Sequence, residues 1–309
     1  MRIRARNPRL AAVTLDAAFR IGVAALGVVV VACAGAGAGG ATAPGVDPAA
    51  AGERAAASDR ASGRLTADYA AFLALLDAGR SKAATGAAAT LARDAAASGP
   101  ADPGFELYAA APLFAALRFG AWETLVVRPE PPADRPFAVA LFQMARGVAL
   151  VARRDLDGAA AARTAFAATR EKVGSETRVG GDLAQDVLNV AGFVLDGRLL
   201  EAKAERDRAL ASWRAAVQAG DNLSSAPPAG WYHALRESLG GALLRAGRYQ
   251  EAEAVLRAGL ERQPENARLL FGLSLALSAG HKPSEAKAAR DRFQTAWKRA
   301  DVPLTLEDL

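Results

Sequence analysis

A few groupings in the sequence hold residue types able to do chemistry. Ser284-Glu-Ala-Lys287 sets a hydroxyl three positions before an amine, the S-x-x-K spacing at which a lysine can serve as base to a serine nucleophile. Pro283-Ser284-Glu285 opens a predicted helix, where serine is a favoured N-cap, and no S-D-N or K-T-G companion occurs, so Ser284 reads as a cap. His233 and His281 are the only histidines and Cys33 the only cysteine, which leaves no Cys/His metal cluster and no intrachain disulfide. Gly35-Ala-Gly37-Ala-Gly39-Gly40 fits G-x-G-x-x-G, but no strand precedes it and no βαβ pattern surrounds it, so it reads as linker. There is no G-x-S-x-G, H-E-x-x-H or P-loop. The residues therefore point to a protein that is not an enzyme, with no catalytic residue, no cofactor and no metal.

Cys33 has a different chemistry open to it. It ends the apolar run from Ile21 to Ala32, which follows Arg2, Arg4, Arg6, Arg9 and Arg20. A basic stretch followed by an apolar run well short of the roughly 20 residues that span a bilayer reads as an export signal over residues 1–32. Val30-Val31-Ala32-Cys33 resembles a bacterial lipobox, which implies cleavage before Cys33 and lipidation of its thiol. The other readings are an ordinary signal peptide with a chance cysteine, or a weak uncleaved anchor. Ala34 after the cysteine, in place of Asp, resembles lipoproteins sent to the outer membrane and implies a protein on the periplasmic face.

The leader also accounts for the charge. Five arginines against Asp16 place most of the formal net charge of +5 within residues 1–33. The remainder is near neutral and lacks the broad cationic footprint that nucleic acid requires, so nucleic acid is excluded as a partner. Residues 33–64 are built mainly from Ala, Gly, Pro, Ser, Asp and Arg and read as a flexible tether, spanning on the order of 30 Å as a coil.

The elements that follow are helical. From Leu65 to Ala300 the chain is rich in Ala, Leu, Arg and Glu, with no alternating strand pattern, and residues 65–309 form one domain. Hairpin turns fall near Gly79, Gly120, Arg154, Ala204, Gly247 and Gly280, and loops near 97–104, 128–136, 174–182 and 221–230. The turn around Ala204 has no glycine, which predicts a longer first helix there; that at Gly280 reads as one residue longer than that at Gly247. The final helix, Ser284 to Arg299, carries a one-sided stripe of Ala286, Ala289, Phe293 and Trp297 and suits a cap on the array, with Glu307-Asp308 solvated beyond it.

The best-formed unit is Arg236 to Asn266. Leu239, Leu243, Leu256 and Leu260 recur at i, i+4 intervals; Gly240 and Ala252 are small where two helices would cross, Gly247 suits a left-handed turn, and Pro264 stops the second helix. With Tyr249, these positions resemble the tetratricopeptide repeat, a helix-turn-helix unit of 34 residues. The resemblance implies an all-α, right-handed α-solenoid of five to six degenerate helical hairpins.

The resemblance also implies a concave binding face lined by the first helix of each repeat. Carried over residue by residue, it places Leu141, Met144, Val148 and Val151 there, then Ala234, Glu237, Gly241 and Arg245, then Arg268, Phe271, Leu275 and Ser278. The Lys, Arg and Asn pattern that clamps a peptide carboxylate is absent, and the residues suggest an apolar groove for a helix or extended peptide. The competing reading buries those residues under a neighbouring insertion. Trp231 and Tyr232, beside the long loop, either staple a turn or offer a recognition surface, while Trp122 and Trp213 read as core. The function implied is a lipid-anchored scaffold that binds an unidentified protein or peptide in the cell envelope. The alternative is a free exported protein serving as accessory subunit of an enzyme complex.

Overall fold

The computed structural model describes residues 48–98, 103–224 and 230–309. The export signal, Cys33 and the first part of the tether lie outside the described residues. Thirteen helices follow in chain order: α1 Pro48–Asp77, α2 Ser81–Ser98, α3 Pro103–Ala109, α4 Ala111–Arg118, α5 Trp122–Val127, α6 Pro136–Ala152, α7 Leu156–Arg170, α8 Ala184–Ala202, α9 Arg206–Asp221, α10 Leu235–Arg245, α11 Tyr249–Arg262, α12 Ala267–Ala279 and α13 Pro283–Ala296. Between α7 and α8 the antiparallel strands β1 Arg178–Val179 and β2 Asp182–Leu183 close a small hairpin in the predicted 174–182 loop. Helix α1 begins well before Leu65, which corrects the end of the tether: Ala, Glu and Arg in 48–64 are good helix formers, and the helix extends back through them.

The architecture is all-α, with helices packed in adjacent pairs: α1 with α2, α6 with α7, α8 with α9, α10 with α11 and α12 with α13. One turn geometry recurs six times. A residue with positive φ stands at Gly79, Gly120, Arg154, Ala204, Gly247 and His281. In each turn the next residue's N–H reaches back to a carbonyl of the preceding helix, as in Arg80 to Leu75, Asp155 to Leu150, Glu205 to Leu200, Arg248 to Leu243 and Lys282 to Leu277. This 6→1 bond closes a helix end while reversing the chain. Five residues after each left-handed position stands a buried side chain: Ala84, Leu125, Ala159, Ala209, Ala252 and Ala286. The turn thus sets the phase in which the second helix presents its inward residue, alanine in five of the six.

Helix α8, at 19 residues, is longer than the first helices α6, α10 and α12, as expected, and it ends at Ala202 because Ala204 itself takes the left-handed conformation at φ +60° and the 6→1 bond forms without a glycine. Two expectations change here. In the last turn His281, and not Gly280, is the left-handed residue, so that turn has the same length as the one at Gly247. Pro283, the first residue of α13, follows a Lys282 N-cap that makes no side-chain cap bond; Ser284 is therefore inside the helix and does not cap it.

The last residues bring the two ends of the array together. The Asp301 Oδ1 and Oδ2 atoms accept from the Ser81 and Lys82 N–H groups at 2.7 and 3.2 Å, capping α2 from the far end of the chain. The Asp301 N–H donates to the Gly79 carbonyl at 3.1 Å. Trp297 covers Gly79 so closely that a Cβ there would stand 2.3 Å from the indole.

The turns make a graded prediction for urea unfolding. At Gly247 a Cβ would meet nothing within 4 Å, so Gly247→Ala loses about 1 kcal/mol from its φ of +75° alone. Gly79→Ala, with similar φ, loses clearly more because the methyl also displaces Trp297. Ala204→Gly goes the other way, gaining up to about 1 kcal/mol. Equal losses at Gly79 and Gly247 would contradict the closure of the array by Trp297.

Candidate peptide-binding groove

The inward faces of the first helices do not form the apolar groove predicted. Leu141 and Met144 on α6 are fully buried in the core, while Val148 and Val151 reach a cavity wall. On α12, Phe271 packs on Phe293 of α13 with ring centroids 5.2 Å apart, and Leu275 is half-buried. Trp231 and Tyr232 are interior: Tyr232 stacks on Phe114 of α4 at 4.6 Å, and Trp231 lies 5.2 Å from Tyr232. Ala234 is half-buried and Ser278 exposed, Ser278 lying on a separate shallow pocket with His281 and Lys287. Lys287 is engaged by Asp291 one turn on, at 2.6 Å.

Charge is buried where apolar surface was expected. Arg118, the last residue of α4, holds Glu237 of α10 with both terminal nitrogens, and its Nη2 also donates to Asp77 of α1 at 3.2 Å. Arg268 of α12 donates through Nη2 to the Arg118 carbonyl at 3.2 Å. His233 Nδ1 lies 3.4 Å from Glu237 Oε1. Burial works to raise the Glu237 carboxyl, but Arg118, His233 and Arg268 together hold it far below the usual carboxylate range. Burial pushes Asp77 up to about 6 against the pull of Arg118, and brings Arg268 down to about 10, with Arg118 nearby acting in the same direction. The Nε atoms of Arg118 and Arg268 are buried with no hydrogen-bond partner among the described residues, so the cations here are under-paired.

Beside this network lies a cavity of about 540 Å³. Arg118, Arg154, Arg198, Arg206 and Arg245 stand on its walls with Trp122, Val148, Val151 and Leu210; Glu201 is the acid facing them from the helices. Arg245 donates from Nε to Glu201 Oε1 at 3.0 Å, the Trp213 indole N–H reaches Glu201 Oε2 at 3.1 Å, and Arg198 lies over the Trp213 ring at 5.3 Å. Burial, and then the charge of Arg245, lower the Arg198 guanidinium below its ordinary value. Among the described residues the lining carries no hydroxyl, thiol or imidazole. What it offers is fixed donors and short apolar walls, suited to holding acceptor oxygens of an extended ligand.

Arg245, Glu237 and Arg268 were placed on the binding face from sequence; Arg245 lines the cavity, whereas Glu237 and Arg268 are buried in the ion network, and Arg118, Arg198 and Glu201 were not singled out. Arg118 had a visible signal, since it interrupts the apolar run Leu113-Phe-Ala-Ala-Leu-Arg-Phe119 with no acid on its own helix turn.

Ala242 and Arg245 of α10, with Ala246 after it, form one edge of this wall, and a family comparison falls on that helix and the two that follow. Residues 233–276 match the tetratricopeptide repeat model. The match covers His233, Glu237, Gly241, Arg245 and Arg268, so Glu237 and Arg268 of the buried network fall within the matched residues, while Arg118 and Asp77 lie outside them. Comparison with curated proteins and with solved structures gives no match.

Removing one partner of the central pair leaves a buried charge, so Glu237→Ala loses about 3–5 kcal/mol in urea unfolding. Because the folded carboxyl is depressed, Glu237 stabilises above about pH 4.5, its ordinary value, and that contribution is lost as pH falls. Glu237→Gln, compared with wild type between pH 7 and 3, loses less stability on acidification. An identical acid profile in the two proteins would contradict the ion pair.

Proposed function

We propose that the protein is a scaffold that binds a segment of another protein in its arginine-lined cavity, and that it is tethered by lipid at Cys33 on the periplasmic side of the outer membrane. The observation that carries the binding reading is the cavity of about 540 Å³ walled by α4, α5, α6, α8, α9 and α10, beside the matched repeat. Tetratricopeptide repeats act in protein interaction, and the lining offers arginine donors beside short apolar walls, which supports the binding of a peptide segment. The tether rests on the apolar run from Ile21 and on Val30-Val31-Ala32-Cys33. Among the described residues no helix is long and apolar enough to cross a membrane.

A photo-crosslinking residue at Arg206, on the cavity rim, is expected to capture a protein in cells that the same residue at Arg93 on α2 does not. Adducts that are the same from both positions, or none from Arg206, would overturn the binding reading. For the tether, Cys33→Ala should lose labelled palmitate and leave the membrane fraction. Its retention there would remove the lipid anchor from the account.

A further inference from the structure

The chain after α13 does not leave the molecule. The Trp297 indole N–H donates to the Val302 carbonyl at 3.1 Å, and the chain turns back across α10 and α12. Thr305 and Asp308 close a 3-10 turn, the Asp308 Oδ2 accepting from the Thr305 N–H at 2.7 Å and its hydroxyl at 2.8 Å. Leu309 is then 0% exposed. Its seat is made by two glycines on groove-lining helices. A Cβ at Gly241 of α10 would stand 2.6 Å from the Leu309 Cβ, and one at Gly272 of α12 would stand 3.1 Å from its Cδ1.

Three arginines from three helices hold the main chain of this segment. Arg245 Nη1 donates to the Leu306 oxygen at 2.9 Å, Arg268 Nη1 to the Asp308 oxygen at 2.6 Å, and Arg198 Nη2 to the Leu309 oxygen at 3.1 Å. The Glu307 and Asp308 side chains are exposed and border the cavity, facing its cationic wall. One buried leucine, main-chain oxygens read by guanidinium groups, and acids at the border of an arginine-lined cavity make up a ligand's mode of attachment. Residues 302–308 remain exposed or half-buried, so little apolar area holds them down.

We propose that residues 302–309 are a displaceable internal ligand of the groove, and that the partner is an acidic peptide segment with a leucine anchor that competes for the same seat. This rests on the binding reading above. The partner takes the Gly241–Gly272 seat and the three arginines, then extends into the open cavity, where Arg154 and Arg206 add donors that the internal segment does not use. An occupant held in cis acts at high effective concentration, so a site filled about 90–99% of the time binds its partner about 10- to 100-fold more weakly than an empty one.

The test uses the full chain and a fluorescent, C-terminally amidated peptide of sequence VPLTLEDL, followed by anisotropy. Leu309→Asp should bind the peptide at least tenfold more tightly than wild type. Adding Arg245→Glu to that variant should remove the gain, as should Lys in place of both acids of the peptide. Equal affinity for wild type and Leu309→Asp, or binding indifferent to Arg245→Glu, overturns the proposal. Should Leu309→Asp lose its helical circular dichroism, hydrogen exchange on wild type decides: millimolar peptide should strip protection from 302–309 and from no other segment, and unchanged protection overturns the proposal. Failure here with Arg206 crosslinks intact removes the internal ligand alone; loss of both removes the groove.

Discussion

The bidentate contact between Arg118 and Glu237 joins helices 119 residues apart and determines much of what surrounds it. Two charges withdrawn from water must satisfy one another in geometry as well as in sign, and a fork-to-carboxylate pair fixes direction together with distance. Asp77 ties α1 to the same guanidinium, and the Arg118 carbonyl receives Arg268 from α12. Four helices from different hairpins therefore share one polar centre. Apolar packing alone allows such helices to slide by fractions of a turn; this centre gives them one register.

The same centre explains the character of the cavity. Cations outnumber acids within it, and two buried Nε atoms have no partner among the described residues, so the interior is tuned to accept oxygen atoms. Near-neutral charge outside the leader conceals this. Arginines gather on the inner wall, while exposed helix faces carry local pairs such as Lys287 with Asp291 and Arg257 with Glu253. The average of the sequence is balanced while its inner and outer surfaces are not.

Helical architecture was legible because local rules decide it. Gly79, Gly120 and Gly247 mark turns by backbone preference alone, and Arg154 and Ala204 were placed by the rhythm of the surrounding repeats. His281 displaced Gly280 because the 6→1 bond and the inward position of Ala286 fix the phase, a constraint set by both helices together. The groove was less legible. Leu141 and Met144 occupy first-helix positions that the resemblance assigns to a binding face, yet α8 and its neighbours cover that part of α6. Arg118 and Arg198 acquire meaning only from Glu237 and the segment around Leu309, which the chain supplies more than a hundred residues later. The 48–64 segment reads as tether by low hydrophobicity, but its alanines sustain a helix that already has a packed continuation in 65–77.

Asp301 and Trp297 change what kind of object the array is. A stack of repeats with free ends behaves as a one-dimensional chain, in which each unit answers only to its neighbours and the outermost ones fray first. Contact between the turn at Gly79 and the residues after α13 adds a term linking the first unit to the last. A chain with that boundary condition has no terminal unit. Loosening of Asp301 must then be felt at both ends, whereas a ligand that displaces residues 302–309 alone leaves the Asp301 contacts with Gly79, Ser81 and Lys82 in place.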